Sequence, residues 1–390
     1  MALRPPIVYK NRFLEIVTAV ILFSMGYITE LISVLRSKPE IDYCKEFGKI
    51  ALISTFPLGF GDLVMDAPFM QSLRRAFPKA KITLITDKEL FTKNSFLDAV
   101  IRMRGGYYEL YKQFRRLRSK KYDLAIVMNR SYNQSLYMQG LAPRYVLGYY
   151  GNFKVLSNFK LRNTEKWTPR KDHYWDMALK IADALGIRRV ETLPELNVTA
   201  EIKKKTGAIL KAAGYSAKWN TIFVNTFAAW DSRRWKEENY VDLIERIHGV
   251  CDIFLFGSKG DVWLNDYIKK ELKKRNVQVK DVTGKFNLLE AYYAISKASL
   301  FLTPDVGPMH FAFMSKTPTL ALFGPINPEH RLPKKKSTII KALWHLDHQR
   351  GGEYTYHYSY RDSSMNGMPG ITVDMVEKEI RTFFRKGRFV

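Results

Sequence analysis

Asp305, Gly307, Pro308, Met309 and His310 stand in one short run behind an apolar segment, Ser299 to Thr303. The segment reads as a buried strand that meets a helix at once, with Pro308 suited to the first helical turn. Such a junction aims backbone N–H groups and the positive end of a helix dipole into the space beyond the strand. A phosphate-bearing ligand fits that space, and Asp305 can accept hydrogen bonds from ribose hydroxyls. The same residues also describe an ordinary strand-to-helix junction. His310, one turn inside the helix, suits a phosphate contact or a structural role equally.

Two further clusters have the same build. Ile50 to Ser54 is an apolar run, followed by a loop with Gly59, Gly61 and Asp62 and by an amphipathic stretch from Leu63 to Phe77. The two glycines permit close backbone approach and positive φ. Asp62 at the helix entrance faces the carboxyl edge of a sheet, where open α/β sheets bind ligands, or else serves as a helix cap. The loop lacks the third glycine of a dinucleotide fingerprint. The third cluster is the strand Thr221 to Asn225 with Thr226, then Asp231, Ser232, Arg233, Arg234 and Trp235, then a helix from Glu238 to His248. Arginines at such a loop mouth suit bidentate contact with a diphosphate. The plainer reading makes Asp231 or Ser232 a helix cap and leaves the arginines solvated. Asp261, beyond the strand end at Phe256 and Gly257, is a candidate nucleoside contact.

Taken in order, these motifs resemble glycosyltransferase family 9, the lipopolysaccharide heptosyltransferase family. The resemblance runs from residue 49 to about 380 and is most specific at Asp305 to His310 with Leu322 to Pro325 and Pro328. It implies a GT-B fold: an α/β protein of two Rossmann-like domains with parallel sheets facing across a cleft. The acceptor site would lie in the first domain and the sugar-nucleotide site in the second. It implies an inverting, metal-independent transfer, usually from ADP-heptose, onto a lipopolysaccharide core or related glycan. The chain departs from the family pattern with Arg233 for the usual Lys, Val306 for a common Ser or Thr, and no cysteines near the C-terminus.

On this footing Asp62 is the expected general base. Arg233, Arg234, Thr226 and the helix start at Gly307, Pro308 and Met309 receive the diphosphate, with Asp305 on the ribose or a sugar hydroxyl. No Asp-X-Asp triplet occurs in the chain, so cations and backbone amides are expected to take the place of a metal clamp, with no cofactor beyond the nucleotide-sugar co-substrate. A GT-B-like sugar-nucleotide epimerase and a non-catalytic membrane or nucleic-acid binding module are the alternatives. No helix-turn-helix, zinc-finger or aromatic RNA-binding pattern supports nucleic acid as a partner.

The elements needed to hold these clusters are present. The chain has 390 residues, enough for two cores. Strands are expected at Ile50–Ser54, Lys81–Thr86, Asp123–Met128, Tyr145–Gly148, Thr221–Asn225, Asp252–Phe256, Gln278–Val282, Ser299–Thr303 and Pro318–Phe323. Helical patterns alternate with them, as parallel sheets covered by helices require. The expected division is an extension over 1–48, a first domain over 49–198, a second over 199–345, and a C-terminal segment over 346–390 whose helix, Val373 to Arg385, packs back on the first domain.

The N-terminal extension carries an uncharged run from Ile16 to Thr29, short of the about twenty apolar residues that span a bilayer. An apolar, amphipathic helix attached to the inner face of the cytoplasmic membrane is the expectation. The net charge of +25 suits an anionic membrane surface and a phosphorylated lipid-linked glycan. Basic residues cluster at Arg115, Arg116, Arg118, Lys120 and Lys121, and again from Lys154 to Lys171. Cys44 and Cys251 form no disulfide framework or metal pattern, in keeping with a reducing cytoplasm.

Overall fold

The computed structural model describes residues 47–54, 59–128, 134–148, 173–217, 220–229, 233–324, 326–333, 339–344, 368, 370–387 and 389. The expected membrane-associating helix and the basic segment Lys154 to Lys171 lie outside the described residues. Among the described residues no helix is long and apolar enough to cross a membrane.

Strands run over Lys49–Ser54 (β1), Lys81–Thr86 (β2), Ala99–Arg102 (β3), Leu124–Val127 (β4), Tyr145–Gly148 (β5), Thr221–Asn225 (β6), Asp252–Phe256 (β7), Lys280–Asp281 (β8), Leu300–Pro304 (β9), Thr319–Phe323 (β10) and Ile340–Trp344 (β11). Helices run over Phe60–Met65 (α1), Ala67–Ala76 (α2), Tyr107–Arg116 (α3), Gln134–Leu141 (α4), Tyr174–Ala184 (α5), Ala200–Ala212 (α6), Glu237–Ile247 (α7), Val262–Lys274 (α8), Leu288–Ile295 (α9), Gly307–Met314 (α10) and Val373–Lys386 (α11).

The strands form two parallel sheets, one of five strands in the order β3-β2-β1-β4-β5 and one of six in the order β11-β10-β9-β6-β7-β8. Both are doubly wound, with the strand order reversing between β1 and β4 in the first sheet and between β6 and β9 in the second. The central strands are buried along nearly their whole length. This is what apolar runs such as Ile50–Ile53 and Leu300–Leu302 require when helices cover both faces.

By contacts the chain divides into two compact units. Of the described residues, one unit holds those before Gly59 with those within Ser72–Glu165 and Ile181–Arg188; the other holds those within Gly59–Gln71, Lys166–Lys180 and Arg189–Val390. The first holds the five-stranded sheet and a core that includes Ile53, Ile85, Phe114, Val127 and Tyr137. The second holds the six-stranded sheet and a core that includes Ile222, Trp235, Leu255, Leu300 and Leu322. The chain thus passes between the units several times, where one linker near residues 188–199 was expected. Asp62 was expected on the first domain; its contacts class it with the second unit.

The single helix expected over Leu63–Phe77 is two helices. Pro68 lacks an N–H and crowds the carbonyl four residues back, so α1 stops at Met65 and α2 begins beyond Asp66. The Asp66 carbonyl accepts from the Phe69 and Met70 N–H groups at 3.1 and 3.2 Å, so the turn stays satisfied. Helix α11 starts at Thr372, whose hydroxyl accepts from the Met375 N–H, and ends at Gly387 with φ +69°. Its residues Val376, Ile380 and Phe383 join the core of the second unit, and Arg381 on its flank donates to the Arg246 carbonyl of α7 at 2.6 Å. Its described contacts are thus with the second unit, whose apolar face takes its buried stripe; packing back on the first domain was the expectation.

Candidate functional site

Helix α1 places Asp62. Gly59 is its N-cap with φ −72°, and Asp62, at the third helical position, turns back to accept the Gly59 N–H at 2.9 Å. The capping role offered as the plain reading of Asp62 is therefore real, and it uses one carboxylate oxygen. Neither Gly59 nor Gly61 has positive φ, and of the two Gly61 alone serves a close approach. A Cβ on Gly61 would lie 2.9 Å from His310 Cδ2 and 3.1 Å from Gly307 Cα, and one on Gly307 would lie 2.5 Å from the Phe60 ring. Helices α1 and α10 consequently meet almost backbone to backbone, with the Phe60 and Phe311 rings 4.7 Å apart.

Strand β9 ends at Pro304 and delivers Asp305, whose N–H donates to the Leu322 carbonyl at 3.1 Å. Arg233, on the connection between β6 and α7, donates through Nη1 to the Asp305 carbonyl at 3.2 Å, and the same nitrogen stands 3.4 Å from Asp305 Oδ2. Both residues follow strands at the reversal of the second sheet, the position where doubly wound sheets bind ligands. Arg331, only 5 % exposed, enters from the turn Pro328–His330 after β10. The next residue, Leu332, offers its carbonyl to His173 Nε2 at 2.8 Å while His173 Nδ1 accepts from the Trp175 N–H, which fixes the ring tautomer.

Electrostatically these groups form one cluster. Burial pushes the Asp62 carboxyl above the ordinary carboxylate range; Arg331, the Gly59 N–H and Arg233 pull it down, and the charge of Asp305 adds to the rise. For Asp305 burial also acts upward, but Arg233, Arg331 and His310 together hold it below the usual range. Burial drives His310 down to about 4, with Asp305 opposing and Arg331, Arg233 and His173 reinforcing. The imidazole is neutral at physiological pH, and its Nδ1 has no hydrogen-bond partner. A raised carboxylate acted on by one buried guanidinium, Arg331, and one half-buried, Arg233, is the arrangement of a base next to an anion-binding pocket.

Other candidates are engaged differently. The Thr226 hydroxyl donates to Asn265 Oδ1 at 2.7 Å, and Asn265 in turn donates to Thr283 at 2.6 Å, a buried network that holds β6 to α8. Met309 is core, packed with Phe313, Ala321 and Phe323, and its N–H already donates to the Val306 carbonyl at 3.0 Å. Pro308 has no N–H, so of the three residues at the helix start Gly307 alone keeps an amide to offer. Arg234 donates to the Ala228 carbonyl at 2.7 Å and lies 4.7 Å over the Phe227 ring. Its charge reaches Asp261, whose carboxylate accepts the Ser258 N–H at 2.6 Å as a cap. Arg234 and Asp261 thus form a separate polar group at the β7 end. The N-cap of α7 is Lys236, which is not the Asp231 or Ser232 of the plainer reading.

Motif reading did not find Arg331 or Asp66. The signal for Arg331 is a lone cation shortly after Pro328, in the loop at the carboxyl edge of β10. That for Asp66 is a second acid one helical turn beyond Asp62. Among the described residues no group of three or more His, Cys, Asp or Glu is arranged to hold a metal ion.

Two doubly wound parallel sheets, with charged loops after β6, β9 and β10, define the class: a two-sheet α/β protein. The chain belongs to glycosyltransferase family 9 (heptosyltransferase), whose family model matches residues 110–357. It is a glycosyltransferase, and the epimerase and non-catalytic alternatives fall away. Among curated relatives it is similar to the lipopolysaccharide core heptosyltransferase OpsX of Haemophilus influenzae, 20 % identical over 74 % of this chain and 83 % of that protein. It is 24 % identical to lipopolysaccharide heptosyltransferase 2 of Escherichia coli, over 78 % and 92 %. Its fold matches a family 9 glycosyltransferase from Veillonella parvula with TM-score 0.71 at 19 % identity, covering 90 % of this chain and 99 % of that one. It likewise matches Escherichia coli ADP-heptose lipopolysaccharide heptosyltransferase II with TM-score 0.68 at 22 % identity, covering 87 % and 99 %.

Proposed function

We propose that this glycosyltransferase, of GT-B type, moves heptose from ADP-heptose onto a lipopolysaccharide core or related cell-surface glycan, with inversion and without a metal. The observation that carries the reading is the gathering of Asp62, Arg233, Asp305, His310 and Arg331 in one cluster. In this reading Asp62 takes the proton of the acceptor hydroxyl while its oxygen attacks the anomeric carbon. The bond to the diphosphate breaks on the opposite face, and the nucleoside diphosphate leaves with the electron pair. Arg233 and Arg331, with the Gly307 amide, stabilise the leaving charge. Asp305, kept ionised, accepts from a sugar or ribose hydroxyl, and neutral His310 supplies a hydrogen-bonding nitrogen without adding charge. Arg234 and Asp261 take the nucleoside end.

The names of the relatives supply the donor and acceptor classes in this proposal. The exposed Arg115 and Arg116 at the end of α3, with Arg118 and Lys120 just beyond it, support work on a phosphorylated lipid-linked acceptor at the anionic inner face of the cytoplasmic membrane. The test is Asp62→Asn assayed with ADP-heptose and a heptose-deficient lipopolysaccharide core, with and without chelator. Transfer is expected to vanish in the variant while ADP-heptose binding persists, and to survive the chelator in the wild type. Equal loss of binding and transfer would reduce Asp62 to a cap.

A further inference from the structure

Asp66 is a buried acid that the proposed transfer does not use. It lies one helical turn after Asp62, as the C-cap of α1 with φ −78° and ψ −14°, and it is 8 % exposed. Its Oδ2 has no hydrogen-bond partner. Residues four apart on a helix bring their Cβ atoms to about 5–6 Å, a separation that two carboxyl groups can bridge with one shared proton. The backbone of Asp66 is fully occupied: its N–H donates to the Asp62 carbonyl at 3.1 Å and its carbonyl accepts from Phe69 and Met70. Its side chain caps neither α1 nor α2, so local structure gives no reason for a carboxyl there.

A buried carboxylate without a donor is costly, and such a group takes up a proton instead. Burial, followed by the charge of Asp62, lifts Asp66 well above the ordinary carboxylate range. The charged groups that act on Asp62 from beyond its own helix come from three loops. Arg331 comes from the loop after β10, Arg233 from the connection after β6 and Asp305 from the end of β9, and all three act on Asp62. His310 of α10 is neutral.

We propose that Asp66 is a positioning residue for Asp62, a neutral carboxyl whose O–H donates to the base from the helical turn behind it. The two carboxyls share one proton. Asp66 keeps it, so Asp62 stays ionised and receptive while half-buried within reach of the Asp305 charge. In this arrangement the Asp62 carboxylate is held by Asp66 as well as by the Gly59 N–H. No bond to substrate is made or broken by Asp66.

The inference rests on Asp62 being the base, and the experiment separates the two. Asp66→Leu removes the donor and the unpaired polar atom together, and its melting temperature is expected to equal or exceed that of the wild type. Its kcat with ADP-heptose and a heptose-deficient core is expected to fall on the order of 10- to 100-fold, the scale of a misplaced reacting group, with the donor KM unchanged. Loss of a hydrogen bond to the charged form raises a carboxyl pKa, so the acid limb of its pH–rate profile moves to higher pH. Asp66→Asn, which restores an N–H donor, is expected to recover most of the lost kcat. Independently of any substrate, the infrared band of a protonated carboxylic acid is expected at neutral pH in the wild type and in Asp62→Asn, and its absence in Asp66→Asn assigns it. A missing band in the wild type, or Asp66→Leu with wild-type kcat and pH profile, overturns the proposal. Asp66→Leu that melts early, with kcat and KM impaired alike in Asp66→Asn, overturns it too by making Asp66 structural. Full activity in Asp62→Asn would instead remove the base assignment.

Discussion

Gly61 passes so near His310 that a methyl group on it would sit 2.9 Å from the imidazole Cδ2, with the Gly307 backbone 3.1 Å away on the same side. The contact holds the helix carrying Asp62 against the helix that follows Asp305. It makes the spacing of the proposed base and the proposed anion pocket a matter of backbone packing.

Gly61→Ala is therefore expected to force α1 and α10 apart, since Gly307 Cα cannot rotate away as a side chain would. Overpacking of this kind costs about 1–3 kcal/mol, read as a lower midpoint in chemical denaturation. Transfer activity should fall further than stability predicts, because the displacement falls on Asp62 itself. A variant with unchanged midpoint and unchanged kcat would show that the helices have slack.

Arg233 is expected to act through its fork. One nitrogen already holds both the carbonyl and the carboxylate of Asp305, which leaves the planar guanidinium oriented before donor arrives. Arg233→Ala should lower kcat/KM by about 10²–10³-fold, the usual scale for removing a preorganised donor to developing charge. Arg233→Lys should fall between the two, since it keeps the charge and loses the planar geometry. Steady-state kinetics with varied ADP-heptose checks both, and equal activity of Lys and Arg at this position would mean that only net charge matters.

Much of this cluster was legible before the structure because loops after strands carry it. Apolar runs such as Ile50–Ile53 and Leu300–Leu302 mark strands buried on both faces, and the residues behind them, Asp62 and Asp305, are placed by that fact alone. Of the edge strands β5 was expected at its own bounds, but three others gave a weak mark or none. β3 and β11 are only partly buried along their length, so neither shows a continuous apolar run, and β8 shrank to two residues from the expected five. Thr226 and Met309 have types and places suited to phosphate, but a hydroxyl bonded to Asn265 and a side chain packed on Phe323 are facts of tertiary structure. Arg331 is near Asp62 only through the fold. Pro68 was the readable signal for the break that makes Asp66 a helix end.

Trp235, part of the motif that carries the family resemblance, is expected to be structural. Its indole Nε1 donates to the Ile371 carbonyl at 2.7 Å and its ring meets Tyr240 edge-on at 5.0 Å, with 1 % exposure. Trp235→Phe leaves the Ile371 carbonyl buried without a donor, a loss of about 1–3 kcal/mol. Thermal denaturation should show it, and hydrogen exchange should rise first in α11, which begins just beyond Ile371. The KM for donor should stay near wild type; a large rise in KM with intact stability would move Trp235 into the binding site.

The acid stability of the fold should carry the signature of His310. In the folded chain burial holds this imidazole down to about 4, from an ordinary value of 6.5. Between those two values the unfolded chain binds a proton that the folded chain excludes. Stability is therefore fully present above about 6.5 and falls as pH drops toward about 4, by up to about 1.4 kcal/mol per pH unit for one proton. Asp305 acts in a separate window. Its folded value is depressed, so its contribution is lost only at still lower pH, as it is protonated below the usual carboxylate range. His310→Gln keeps a polar side chain of similar reach and cannot titrate. Denaturation midpoints measured from pH 7 to pH 4 should slope less in the variant than in the wild type. Identical slopes above about pH 4 would mean that His310 is charged in the fold, and the neutral role proposed for it beside Asp305 would fall.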